Sequence, residues 1–238
     1  MKIEMNCFAS HFKIRCSAIG QIMTDPKTKA AKEAGELSAT AQTYCENWLK
    51  SKLYNRSLEF TNKYTEKGLI MEDSSIDFIA EKLGTGMLFK DEEFLENDYM
   101  QGHMDVSLPD VVIDAKNSWS WETFPTFETK IPTPAYYWQL QGYMELAQKK
   151  VAKLIYVLSD TPQHLIEREA RNYCFYNGYG ELDIEIYNQF VTKLTYPDVP
   201  DSLKIKIFEI EKNDADIFRI KMQVEKCREY ITTLLYNL

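Results

Sequence analysis

The residues able to do chemistry are concentrated in one stretch. It runs Gly102-His103-Met104-Asp105-Val106 and, after a break at Pro109-Asp110, continues Val111-Val112-Ile113-Asp114-Ala115-Lys116. Residues two apart on a strand share a side, so Asp114 and Lys116 point one way while Ile113 and Ala115 point the other. A hairpin turning at Pro109-Asp110 sets Asp105 alongside Asp114, and two carboxylates and an ammonium converge. Magnesium takes hard oxygen ligands, commonly one or two carboxylates with waters and a substrate phosphate, so this pair meets the minimum for a metal site acting on a phosphodiester. A divalent ion there lowers the pKa of water and neutralises the non-bridging oxygens, and Lys116 orients the water or balances charge on the phosphorane. On a solvated strand the same Asp-x-Lys would be an ion pair worth little. The apolar run Val111-Val112-Ile113 favours the chemical reading, because a strand buried on both faces seldom ends in charges that serve no site.

Other segments must position this hairpin. Residues 26–60 space Ala30, Ala31, Ala34, Leu37, Ala41, Tyr44, Trp48 and Leu49 as a buried helical stripe. Gly68 to Leu83 is a second helical unit, closed by a left-handed cap at Gly84, with Glu72 on or beside its apolar face. The period then changes to short β-favouring runs at Met87-Leu88-Phe89, Tyr99–Val106 and Val111–Lys116, with the acidic stretch Asp91–Asp98 between the first two. Trp119–Pro134 carries three prolines among aromatics and reads as a loop. A helix follows from Pro134 to Lys150, then a strand from Val151 to Leu158. Beyond these come a helix over Glu181–Leu194, a strand over Lys204–Ile210 and a last helix capped by Asn213 and reaching about Leu235. The fold class is α/β, with a core ordered α-β-β-β-α-β over roughly residues 60–160, inside a single domain spanning 1–238.

The 238 residues carry 28 Lys plus Arg against 36 Asp plus Glu, a formal charge of −8, with 45% hydrophobic residues. That composition supports a packed core and excludes a disordered tail protein. No run of about 18 apolar residues is present, so no membrane span is expected. The start Met1-Lys2-Ile3-Glu4 lacks a secretory layout, and five scattered cysteines, Cys7, Cys16, Cys45, Cys174 and Cys227, fit a reducing cytoplasm. Neither the cysteines nor His11, His103 and His164 have zinc or iron–sulfur spacing, so any metal is expected to be oxygen-ligated. An acidic total does not veto a DNA enzyme, because the local field at the site steers a polyanion.

Taken in order, these residues resemble the PD-(D/E)XK nuclease superfamily, most closely its phage λ-exonuclease, YqaJ-like viral recombinase branch. The resemblance covers most of residues 12–158. It rests on Ile14–Met23 as the opening segment with Ser17, Gly68 through Glu72 as the Gly-x-x-x-Glu helix, Asp105, Asp114-Ala115-Lys116 as the acidic-x-Lys, and Gln139-Leu140-Gln141 as the Gln-x-Gln helix. It implies a restriction-endonuclease-like core, a mixed central sheet flanked by helices, with helical additions at both ends. The implied activity is 5′→3′ exonucleolytic hydrolysis of double-stranded DNA, leaving 3′ single-stranded tails for an annealing protein. The implied roles place magnesium, with manganese as a possible substitute, on Asp105, Asp114 and the carbonyl of Ala115. Lys116 would act on the attacking water, Glu72 would assist the metal site, Gln141 would position water or phosphate, and Gln139 would join the catalytic set. Ser17, with Arg15 or Lys13, would take the 5′-phosphate, and a ring-shaped trimer would give processivity. The Pro-Asp that names the superfamily occurs at Pro109-Asp110, but the hairpin puts it at the turn, so the first metal carboxylate is assigned to Asp105.

Trp119, Trp121, Phe124 and Phe127 follow the acidic strand directly, where rings could stack on terminal bases or instead cap the core or a subunit contact. Gln139 and Tyr143, four apart on a helix, meet on one face, with Tyr143 a candidate DNA contact. The same pair also fits a RecB-like nuclease of a larger repair or CRISPR spacer-acquisition complex. A third reading, from another class, is a non-catalytic binding module on a nuclease fold, against which stands the complete Asp105, Asp114 and Lys116 set.

Overall fold

The computed structural model describes residues 8–57, 61–91 and 93–238. Cys7, the N-terminal residues read for a leader, and the last three residues of the 26–60 segment lie outside them. Strands β1 (Ile14–Arg15), β2 (Leu95–Glu96) and β3 (Met100–Gly102) form a small sheet in the order β1-β3-β2. Strands β4 (Val106–Ser107), β5 (Val111–Asn117), β6 (Val151–Val157) and β7 (Ile205–Glu211) form the main sheet in that order, with β5 and β6 parallel and the other pairs antiparallel. Helices α1 (Ile19–Ile22), α2 (Lys29–Glu33) and α3 (Ala39–Leu53) precede α4 (Lys63–Leu83). After the sheet begins come α5 (Pro134–Ala147), α6 (Gln163–Tyr176), α7 (Ile184–Leu194) and α8 (Asp214–Tyr236). The mixed sheet flanked by helices, with helical additions, is the architecture the sequence implied.

Strand alternation divides the main sheet between two cores. Val112, Leu154, Tyr156 and Phe208 pack with Leu140, Tyr143 and Met144 of α5, whereas Ile113, Ile155 and Val157 pack with Ile76, Ile79 and Ala80 of α4. The two helices that bear the candidate site residues therefore clamp opposite faces of the strands that bear the rest. Helix α4 begins a turn earlier than its apolar spacing predicts, because Asn62 and Thr65 form a capping box: the Asn62 side chain accepts from Tyr64 N and Thr65 N at 2.9 and 3.0 Å. It ends where expected, at Gly84 with φ +65°.

The structure corrects several expected elements. Met87-Leu88-Phe89 is not a strand; Leu88 alone is buried while Met87 and Phe89 are exposed. The Tyr99–Val106 run breaks at His103–Asp105, so its halves serve different sheets, and the acidic stretch contributes β2. Helix α6 was missed because only a narrow stripe, Leu165, Ile166, Ala170 and Cys174, faces inward. Cys16, Cys45, Cys174 and Cys227 are buried free thiols spread through the core. Among the described residues, no helix is long and apolar enough to cross a membrane.

One close approach seats α5 against α1. A Cβ built on Gly20 would lie 2.7 Å from both Cα and Cβ of Ala135, and neither helix can yield without moving backbone. Gly20→Ala is therefore expected to cost about 1–3 kcal/mol in urea unfolding. Gly68→Ala, which meets nothing within 4 Å, should instead stabilise by up to about 1 kcal/mol.

Candidate active site

At the carboxyl end of β5, between α4 and α5, a cleft of about 530 Å³ opens to solvent. Its lining includes Glu72, Asp105, Ala115, Lys116, Gln139 and Ser17. This is where an α/β sheet commonly receives a ligand, since side chains at strand ends and helix faces converge there. The hairpin reading of β4 and β5 agrees with the observed register, in which Val106 pairs with Ile113 and Ser107 with Val112. Continuing that register by one step sets Asp105 opposite Asp114. Asp105 Oδ2 accepts from the main-chain N–H of Ala115 at 2.7 Å, which fixes its carboxylate beside the end of β5.

Asp114 is buried, with 1% of its surface exposed, and sits 2.6 Å from the Lys116 ammonium through Oδ2. The approach is off the hydrogen-bonding axis, so Oδ2 forms an ion pair but accepts no aligned hydrogen bond. Burial, then the Asp114 carboxylate, push Asp105 up to about 7 in spite of Lys116 and the Ala115 amide. For Lys116, burial alone would depress the ammonium, but Asp114 and Asp105 outweigh it and hold the group above the ordinary lysine value. The amine also lies 5.1 Å from the centre of the Tyr136 ring, a cation–π contact that limits its swing.

Helix α5 separates the two glutamines. Gln139 Nε2 donates to Asp114 Oδ1 at 3.1 Å and to Tyr143 OH at 3.0 Å, so it fixes the buried carboxylate. Gln141, expected to position water or phosphate, faces away: Nε2 donates to Glu211 O at 2.9 Å and Oε1 accepts from Asn213 N at 2.8 Å. Two residues on a helix are about 200° apart, so the pair cannot share a face. Tyr143, expected at DNA, is buried behind Gln139, where burial and Asp114 raise its hydroxyl well above the usual tyrosine value.

Ser17 reaches the cleft, but its two expected companions do not line it. Lys13 pairs with Glu96 at 3.1 Å, and Arg15 is exposed on β1. Trp119 stands at the rim, its ring 5.8 Å from that of Tyr64, which lines the cleft. Trp121 instead lines a separate groove with α7, its main-chain N–H donating to Tyr196 OH at 3.1 Å. Phe124 is buried and Phe127 projects outward.

Three participants escaped the sequence reading. Lys90 pairs with Glu72 at 2.5 Å. Asn117 Oδ1 accepts from Ser75 Oγ at 2.7 Å and Ser159 Oγ at 2.9 Å, latching the strand end to α4. Lys67, fully buried on α4, donates to the carbonyls of Ser118, Trp119 and Ser159 at 2.7, 3.2 and 2.7 Å. Helical spacing held a sign of it, since 67, 71, 75 and 79 fall four apart on the stripe that buries Ser75 and Ile79.

The donor set suits a hard divalent ion. Asp114 Oδ2 is a buried oxygen without an aligned donor, Asp105 keeps a second oxygen beside it, and Ala115 lies between them in the cleft wall. Among the described residues no three His, Cys, Asp or Glu side chains gather as one metal cluster, so carbonyl, water or substrate oxygens must complete any coordination. The raised Asp105 pKa carries a stability consequence. Between about pH 4 and 7 the folded, chelated protein holds a proton that the unfolded chain has released, so the Asp105 contribution to stability falls as pH rises through 7. Melting in EDTA from pH 5 to 8 should show wild type losing stability relative to Asp105→Asn; parallel curves would contradict this.

No family model matches the chain, and no curated protein does. Solved structures do. The chain is similar to a phage-related exonuclease from Haemophilus somnus 129PT, with 29% identity, 98% of this chain and 99% of that one covered, and a TM-score of 0.77. It also shares its fold with the alkaline exonuclease LHK-Exo from Laribacter hongkongensis, with 15% identity, 99% and 95% covered, and a TM-score of 0.63. The same enzyme in complex with dAMP matches at 16% identity over the same shares, with a TM-score of 0.61.

Proposed function

We propose, from the premise that this chain is a nuclease of the PD-(D/E)XK, λ-exonuclease-like kind, that it degrades double-stranded DNA from its ends, 5′→3′ and with magnesium, leaving 3′ single-stranded tails. The observation that carries the reading is the meeting of Asp105 and Lys116 in one cleft, with Asp114 buried against Lys116 behind its wall, in a chain that matches a phage-related exonuclease along almost its whole length.

In this reading Asp105, Asp114 and the main-chain carbonyl of Ala115 would hold the ion, with manganese as a substitute. When bound, the ion would supply activation of water and neutralisation of the scissile phosphate. The rest falls to the chain. Lys116 keeps its proton at neutral pH, because two carboxylates face it, and presents a fixed positive charge to the phosphate. Gln139 holds Asp114 in place through Oδ1 and leaves Oδ2 turned to Lys116. Ser17, on the cleft wall, offers a hydroxyl to the 5′-phosphate, and Tyr64 with Trp119 offers rings to the terminal bases. A trimer, an annealing partner and action in the cytoplasm of a bacterium or phage-infected cell complete the proposal by resemblance.

The test is digestion of a duplex labelled on one strand at a time, bearing a 5′-phosphate or a 5′-hydroxyl. Release of nucleotides from the 5′ end, dependent on magnesium and stopped by EDTA, is expected, with slower attack on the 5′-hydroxyl end. Release from the 3′ end, or digestion that survives chelation, would overturn the reading.

A further inference from the structure

The described residues between α4 and β2 form no helix or strand, yet they are held at two points beside the cleft. Leu88 is buried against Ile76, Ile79, Val106 and Ile113, and Asp91 N–H donates to the carbonyl of Asp105 at 2.8 Å. Between those anchors the chain alternates like a strand: Met87 and Phe89 are each 74% exposed, and Leu88 turns inward. Lys90, itself exposed, reaches back to Glu72, its amine 2.5 Å from Oε2. Glu72 lines the cleft with Asp105, and its negative charge is felt by Asp105.

Charge arithmetic over the cleft carboxylates and lysines and their direct ion-pair partners gives this contact its meaning. Glu72, Asp105 and Asp114, when ionised, carry three negative charges against two positive charges on Lys90 and Lys116, and 3 − 2 leaves one. One divalent ion changes that residue of −1 to +1. A second would raise it to +3 in a partly enclosed space, where like charges a few ångströms apart repel by several kcal/mol. The carboxylate a second ion would require, Glu72, is already paired.

We infer that Lys90 is a built-in counter-ion whose ammonium occupies the cation position beside Glu72, so that the DNA-free protein takes one divalent ion and admits a second only when Lys90 leaves. The inference rests on the metal-dependent reading above. Lys90 is a positioning residue here, acting through Glu72 rather than on the reacting atoms. Its side chain is partly exposed and attached to an irregular segment, so it can swing into solvent when substrate phosphates or a second ion compete for Glu72.

The experiment is calorimetric titration of manganese chloride into the DNA-free full-length protein, repeated by electron paramagnetic resonance, with wild type, Lys90→Met and the double variant Lys90→Met, Glu72→Gln. Wild type is expected to bind one ion. Lys90→Met should gain a second, or bind at least about tenfold more tightly, because the competing charge is gone. The double variant should return to one ion, an outcome that a merely structural role for Lys90 would not produce. Cooperative melting of each variant confirms that the folded state is being titrated. Two ions in wild type, or a Lys90→Met isotherm that superimposes on a one-ion wild type, would overturn the inference while leaving the metal-dependent reading intact. A wild type that binds no manganese would overturn that reading itself.

Discussion

Asp114→Asn is expected to lower the rate of duplex digestion by on the order of 10³-fold while leaving a folded protein. The substitution is nearly isosteric. Its side-chain oxygen can still accept from Gln139 at the position of Oδ1, so the buried hydrogen bond survives. What is lost is the charge on Oδ2, the buried oxygen that pairs with Lys116 without accepting an aligned hydrogen bond. Removing one member of a buried ion pair usually destabilises, because the survivor stays charged in a dry place. Here Asp105 remains beside Lys116, and the Asp114 repulsion, which adds to burial in lifting Asp105 to about 7, disappears with the Asp114 charge. The variant should therefore melt cooperatively, and in EDTA its Asp105 should titrate closer to the ordinary carboxylate range. Steady-state digestion with circular dichroism melting checks both halves. Activity within tenfold of wild type would remove Asp114 from the chemistry.

The hairpin was legible because its signal is local. Alternation on β5, a turn at Pro109-Asp110 and a two-residue repeat are enough to set Asp105 beside Asp114, and the register carries no surprise. The helix termini at Gly84 and Asn213 were legible for the same reason, since each cap is made by the residue itself and its immediate neighbours. Gln141 was misplaced because the Gln-x-Gln pattern was read as a pair. On a helix the two side chains part, and which of them turns to the cleft depends on how α5 lies against the sheet. Lys90 and Ser17 approach the cleft from distant segments, so their meeting with Glu72 and Gln139 is a property of the packing. The Met87–Phe89 run shows the converse error. Its residues favour a strand, but the chain there joins no sheet, and the burial of Leu88 with the Asp91-to-Asp105 main-chain hydrogen bond holds it instead.

Lys67→Met should be the most destabilising of the substitutions considered, by roughly 2–4 kcal/mol in urea unfolding. The wild-type amine lies in the interior with three main-chain carbonyls around it, those of Ser118 and Trp119 after β5 and of Ser159 after β6. Methionine fills much of the volume but offers no donor, so these buried acceptors are left unpaired. The damage should also reach activity. Lys67 lies five residues before Glu72 on α4, and the segments it ties begin immediately after Lys116-Asn117, so the same ammonium sets the distance between the two walls of the cleft. Burial depresses the Lys67 pKa from 10.5 to about 8, and this fixes the sign of a pH effect. Between those values the unfolded chain holds a proton that the folded protein has shed, so the Lys67 contribution to stability rises with pH across that window. The deficit of Lys67→Met relative to wild type is therefore expected to widen from pH 8 to 10. Lys67→Arg separates charge from fit: it keeps the donors but adds volume in a closed pocket, and should recover part of the stability at neutral pH. A methionine variant as stable and as active as wild type would show that the three carbonyls find other partners, and that the cleft does not depend on this tie.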